Sequence, residues 1–317
     1  MDEKDIVEIK DLNVKYKISK SECVYALKDV NLKIKNGESI AIVGESGCGK
    51  STFANSLLKL LPLNAEIKGS VKMHGQEILN MSDVDLEKIR GKVAGIIFQE
   101  PSASLNPVFT VKEQIEETIK AHYKEVKDVE AEKKGLSLLK ETGIDDVKRV
   151  YNSYPHQLSG GQQQRVMIAI ALSCDPSILI ADEPTTALDV TVQMQIINLL
   201  KKLKNTRNLT LILITHDLHL AAFMSDRIIV MYAGEIVESG KIKTIKDCRH
   251  PYTHLLFKVV PDINKKKGEF VLIDGEVPDL RILRNECYFF ERCFKAGKMC
   301  KENHPEISKN VRCYYPV

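Results

Sequence analysis

Gly44, Glu45, Ser46, Gly47, Cys48, Gly49, Lys50 and Ser51 spell G-x-x-x-x-G-K-[ST], with Thr52 next. That spacing suits polyphosphate. Its glycines let the backbone wrap so that several N–H groups face phosphate oxygens, and the helix that starts there adds a positive dipole end. Lys50 is placed to reach the β- and γ-phosphates, and Ser51 to offer an oxygen to Mg²⁺. Cys48 contributes a small side chain and an N–H. A second set of oxygens lies at Asp182 and Glu183, where the apolar run Ser177–Ala181 ends in two carboxylates. An aspartate at such a strand end helps hold Mg²⁺, and the next carboxylate is placed to polarise an attacking water as a general base. Alone, the pair would read as a solvated acidic turn before Pro184. Beside a phosphate loop it reads as metal-assisted phosphoryl transfer.

Cysteine is a third chemical signal. Of eight cysteines, Cys287, Cys293, Cys300 and Cys313 crowd at the C-terminal end with the spacing C-x₅-C-x₆-C-x₁₂-C. Met1–Asp5 shows no basic stretch leading into an apolar one, so no secretion signal is expected and the compartment is a reducing one, where lasting disulfides are rare. Three readings compete: free thiols, a Cys₄ zinc site and a [4Fe–4S] cluster. A short polar segment needs a staple to stay folded, which disfavours free thiols. Structural zinc usually takes ligands paired as C-x₂₋₄-C, and no such pair occurs here. The wider intervals favour the larger four-iron cluster, with Zn²⁺ as the alternative. Arg292, Lys295, Lys298, Lys301 and Arg312 lie among the ligands, and their charge would suit either centre.

These residues need elements to hold them. Ile6–Tyr16 alternates roughly at period two and Val30–Ile34 cleanly, so residues 5–43 read as strands. Ser39–Val43 is a short apolar run that stops at Gly44, the pattern of a buried central strand; Val93–Phe98, Ser177–Ala181 and Leu209–Thr215 share it. A helix is predicted over Thr52–Leu61, with others near 111–122, 130–142, 160–173 and 191–205. Strands and helices alternating at these intervals imply parallel strands with crossover helices, an α/β fold. Residues 100–157 hold no buried-strand run and read as a helical insertion, and Asp226–Val237 as a hairpin through Ala233 and Gly234. Lys265–Gly268 is a charged break.

The 317 residues are 44% hydrophobic and 28% charged, ordinary for a globular chain of about two domains, or of one large domain with an appendage. The longest apolar run, Val166–Leu172, falls far short of the roughly 20 residues a spanning helix needs. A formal net charge of +3 is too small to argue for nucleic acid.

Leu158–Gln162 reads LSGGQ. Opening the helix near 160–173, it offers an anion site at a helix N-terminus, and Ser159 with Gln162 also suits a capping box. With this motif the chain resembles the ATP-binding subunits of ABC transporters over about residues 5–250. The resemblance implies an ABC-type P-loop ATPase core with an N-terminal antiparallel β subdomain and a helical insertion. Residues 1–260 would form that domain, its helical part over about 100–173, and 261–317 a cysteine-rich metal-binding extension. It also implies roles. Tyr16 would stack on adenine, Gln99 would touch Mg²⁺ and the attacking water, and His216 would face the γ-phosphate. Ala187–Asp189 would communicate across a dimer in which Ser159, Gly160, Gly161 and Gln162 of one subunit close on the ATP of the other.

Gln99–Pro107, Tyr154–Ser159, Ala187–Val192, His250–Leu256 and Gly275–Leu280 are similar to the oligopeptide/dipeptide uptake group, many of whose features nickel importers share. That implies an ATPase at the cytoplasmic face of a membrane. Its partners would be a second ATPase subunit, identical or paralogous, two integral membrane subunits docked at Gln99–Pro107 and the helices after it, and an extracytoplasmic peptide-binding protein. Nucleic acid is not expected. The competing class is a soluble ABC ATPase of DNA repair or translation. The compact insertion between phosphate loop and signature, where chromosome and repair members carry long coiled coils, and the presence of one cassette rather than two speak against it.

Overall fold

The computed structural model describes residues 5–186, 188–241, 248–259 and 273–317. Ala187 and Lys265–Gly268 lie outside the described residues. Two compact units result, one built from Lys35–Glu38 and Asn80–Ile214, the other from residues 5–34, Ser39–Leu79 and Thr215–Val317.

In the first unit three short strands run parallel: Ala94–Ile97 beside Ile178–Asp182 beside Thr210–Ile214. The latter two are buried at every position, as expected of apolar runs covered on both faces. Helices Val111–His122, Asp128–Glu141, Val147–Tyr151 and Gly160–Ala171 pack on one another. The first starts at a capping box in which Thr110 and Glu113 satisfy each other's backbone N–H groups. Ile115, Ile119, Leu138, Leu139 and Val150 form its core, and the buried Tyr151 hydroxyl donates to Glu116 at 2.8 Å. Helix Val190–Arg207 ends at Asn208, whose φ of 51° is a left-handed stop.

In the second unit a four-stranded sheet has the order Cys23–Lys35, Asp5–Lys17, Ala65–Met73, Gln76–Glu77. Asp5–Lys17 pairs antiparallel with Ala65–Met73, and the register shifts between Lys10 and Asn13. Ser39–Val43, buried throughout, pairs in parallel with Arg227–Tyr232, which forms the expected hairpin with Glu235–Gly240. The C-terminal segment hydrogen-bonds along that hairpin: Ser239 N–H donates to Asn310 O and Arg312 N–H to Val237 O, each at 2.9 Å.

Several elements differ from the sequence reading. The helix after the phosphate loop spans Lys50–Leu57 rather than Thr52–Leu61, because Lys50 and Ser51 already form its first turn. The second strand covers Cys23–Lys35, longer than Val30–Ile34. Strand Ala65–Met73 and helices Asp83–Ile89 and Leu218–Met224 have no counterpart in the sequence reading, whereas helix Pro101–Ser104 falls within the expected helical insertion.

Candidate functional site

Strand Ser39–Val43 delivers the chain to Gly44, and the loop closes where helix Lys50–Leu57 begins. Lys50 is 5% exposed. Its ammonium folds back over the loop, donating at 2.9 Å to both Gly44 O and Glu45 O. Ser46, Gly47 and Ser51 stay exposed around it. Gly49 has φ +103°, and a Cβ there would sit 2.5 Å from Ala26 O. Gly49→Ala is therefore expected to distort the loop and abolish nucleotide binding in calorimetry, since both the backbone angle and the space reject a side chain. Cys48 is buried, and burial pushes its thiol up, so it stays neutral. Tyr16, half-buried at the end of its strand, places its hydroxyl 3.0 Å from Thr52 Oγ1. The same unit holds His216, exposed between Thr215 and helix Leu218–Met224.

The first unit assembles a second group. Asp182 ends its strand buried. Glu183 follows in a left-handed conformation at φ 45°. Its Oε2 accepts from Gln99 Nε2 at 3.1 Å and from Thr186 Oγ1 at 2.9 Å. Two neutral donors thus orient this carboxylate. The chain brings Gln99 and Glu183 within hydrogen-bonding distance of each other. Thr186 was missed, since a lone threonine after an acidic turn carries no signal of its own. Ser159 caps helix Gly160–Ala171, accepting from Gln162 N–H at 3.4 Å while Ser159 N–H donates to Gln162 Oε1 at 3.2 Å. A Cβ on Gly161 would lie 2.9 Å from Val192 Cγ1, so glycine there permits the close approach to helix Val190–Arg207. Asp189 caps that helix through Val192 N–H at 3.0 Å.

Cys287, Cys293, Cys300 and Cys313 line one cavity with His250, Phe289 and Tyr314. Burial, reinforced by the neighbouring thiols, pushes Cys287 up to about 12. Among the described residues no group of three or more His, Cys, Asp or Glu is set to hold a metal ion. The cations among the cysteines do not behave as one set of counter-charges. Arg292 pairs with Glu45, and Lys295 Nζ donates to Pro316 O at 2.7 Å.

Comparison with known proteins adds to this geometry. The family model described as ABC transporter matches residues 27–186, and that described as oligopeptide/dipeptide transporter, C-terminal region, matches residues 237–300. The oligopeptide transport ATP-binding protein AppD of Bacillus subtilis is 41% identical, the match covering 98% of this chain and 96% of that one. A probable peptide ABC transporter ATP-binding protein, y4tR of Sinorhizobium fredii, is 42% identical over 96% of this chain and 91% of its own. The dimeric ATP-binding cassette MJ0796 in its post-hydrolysis state, bound to ADP and phosphate, superposes with a TM-score of 0.67 at 38% identity, covering 75% of this chain and 99% of that one. Among the described residues, no helix is long and apolar enough to cross a membrane.

Proposed function

We propose that this chain, which belongs to the family of ABC transporter ATP-binding proteins, is the ATP-hydrolysing subunit of an importer for di- and oligopeptides. The observation that carries the peptide reading is that the likeness runs on past the nucleotide-binding half into an oligopeptide/dipeptide C-terminal region over residues 237–300. In this reading residues 1–260 form the ATPase domain, with its helical part near 100–173, and 261–317 the extension.

The loop Gly44–Ser51 holds the β- and γ-phosphates through backbone N–H groups and Lys50, with Thr52 next to it. The adenine stacks on Tyr16, whose hydroxyl is already anchored to Thr52. Glu183, oriented by Gln99 and Thr186, takes the proton of the attacking water as it adds to the γ-phosphorus and ADP leaves. His216 faces the γ-phosphate. Ser159, Gly160, Gly161, Gln162 and Asp189 serve the ATP of a second, identical or paralogous subunit. Their exposed N-terminal turn supplies N–H groups for that anion. Ser51, Gln99 and Asp182 would hold Mg²⁺, and this hydroxyl, amide and carboxylate set of hard oxygens suits it. Bound there, the ion neutralises charge developing on the phosphates.

Two integral membrane subunits dock at Gln99–Pro107, beside which Phe98, Val108 and Phe109 stand exposed. The chain then sits at the cytoplasmic face, and an extracytoplasmic protein delivers peptide. Cys287, Cys293, Cys300 and Cys313 would hold a [4Fe–4S] cluster, with zinc as the alternative. The cavity that the four share supports this reading. Such a centre would staple the C-terminal segment.

Detergent extraction followed by affinity purification of the tagged chain tests this reading. Two polytopic membrane proteins should co-purify; recovery with ribosomes or DNA and no membrane protein would refute it. Lys50→Ala should weaken ATP binding by about 1.5–3 kcal/mol, the worth of a hydrogen bond to a charged group. Unchanged affinity in calorimetry would remove Lys50 from the site.

A further inference from the structure

A part-buried ion pair joins the phosphate loop to the C-terminal segment, 247 positions apart in sequence. Arg292 Nη1 donates to Glu45 Oε2 at 2.8 Å and Nη2 to Oε1 at 3.0 Å, a two-point fork. The arginine side chain is 5% exposed. Its other donors meet Tyr232 Oη at 3.2 Å, Asp274 O at 3.0 Å and Ile273 O at 3.3 Å. On the loop side, Glu45 N–H donates to Tyr252 Oη at 2.9 Å, and Glu45 O accepts from Lys50 Nζ at 2.9 Å. One residue therefore carries both the carboxylate held by Arg292 and the carbonyl that holds the loop's lysine.

A carboxylate in the second position of a polyphosphate loop is electrostatically adverse. Left unpaired, its charge would repel the ligand and draw the Lys50 ammonium to itself. We propose that Arg292 is a positioning residue for nucleotide. It cancels the charge of Glu45 and fixes the entry of the loop, so that ATP affinity depends on the C-terminal segment. The inference rests on the reading of Gly44–Ser51 as an ATP site. Arg292 closes the short turn Phe290–Arg292 between Cys287 and Cys293, so the folding of the cysteine-bearing segment is what delivers the guanidinium. Coupling of this kind is reciprocal: nucleotide must favour the folded segment as much as the segment favours nucleotide.

The test uses the full chain and MgADP. Calorimetry on Arg292→Ala is expected to show affinity about tenfold weaker than wild type, the scale of one lost charge-assisted contact. Adding Glu45→Gln to that variant removes the uncompensated charge and is expected to restore most of the loss. In the wild type, hydrogen exchange over residues 285–295 is expected to slow when MgADP binds. Equal affinity in Arg292→Ala, a double variant as weak as the single one, or exchange indifferent to MgADP would each overturn the proposal. Should Arg292→Ala loosen the segment itself, the wild-type exchange measurement decides. Absence of MgADP binding by the wild type would sink the ATP reading as well, which separates the two failures.

Discussion

Glu183→Gln is expected to bind ATP as the wild type does and to turn it over about 10²–10⁴ times more slowly. The substituted amide has the same size, and its carbonyl oxygen can still accept from Gln99 Nε2 and Thr186 Oγ1, which meet Glu183 Oε2 at 3.1 Å and 2.9 Å. What it loses is the capacity to take a proton. In the proposed arrangement hydrolysis separates two subunits sharing ATP, so the variant should accumulate as an ATP-bound dimer. Light scattering after gel filtration with MgATP would register it, and the species should vanish without nucleotide. Wild-type turnover in Glu183→Gln would remove the general-base assignment. A dimer closed through Leu158–Gln162 in the absence of nucleotide would contradict the shared-site arrangement.

The second large effect concerns the cysteines. Protein purified without oxygen is expected to be brown, with broad absorbance near about 400 nm and about four irons per chain, and any one of Cys287→Ser, Cys293→Ser, Cys300→Ser or Cys313→Ser should discharge it. The reason is local. Beyond Tyr288, Phe289, Cys300 and Val311 few side chains of this segment are buried, so its own apolar core is small. Binding free energy at four thiolates would then be folding free energy for the segment, and losing one ligand should expose it to proteolysis. Colourless protein carrying one zinc per chain would replace the cluster with the zinc alternative. Colourless protein without metal would leave four free thiols.

What the sequence disclosed follows from where its signals are local. Ser39–Val43 and Ile178–Asp182 are legible because strands buried on both faces carry unbroken apolar runs, here Ile40–Val43 and Ile178–Ala181. Val111–His122 is legible because its apolar stripe begins at a Thr110–Glu113 capping box. Ala65–Met73 is not. Only Val71 and Met73 are buried along it, and Gly69 interrupts it near the register shift of its partner strand, so no period-two pattern survives. Helix Leu218–Met224 is too short to show a period, although Asp217 caps it through the N–H groups of His219 and Leu220. The site divides in the same way. Motif residues such as Lys50, Glu183 and Ser159 are legible because phosphate chemistry fixes their spacing. Thr186 and Arg292 are not, because their roles depend on three-dimensional contacts with no fixed interval. Arg292 in particular reads in sequence as one more cation among cysteines, whereas its fork closes on Glu45 of the phosphate loop.

In the proposed function, ATP hydrolysis by this chain drives peptide across a membrane. Uptake of a labelled oligopeptide into vesicles holding the assembled transporter, with ATP supplied on the side of this subunit, tests it most directly. Accumulation is expected with the wild-type chain, and none when every copy of the subunit carries Glu183→Gln. Peptide uptake undiminished by that substitution would contradict it.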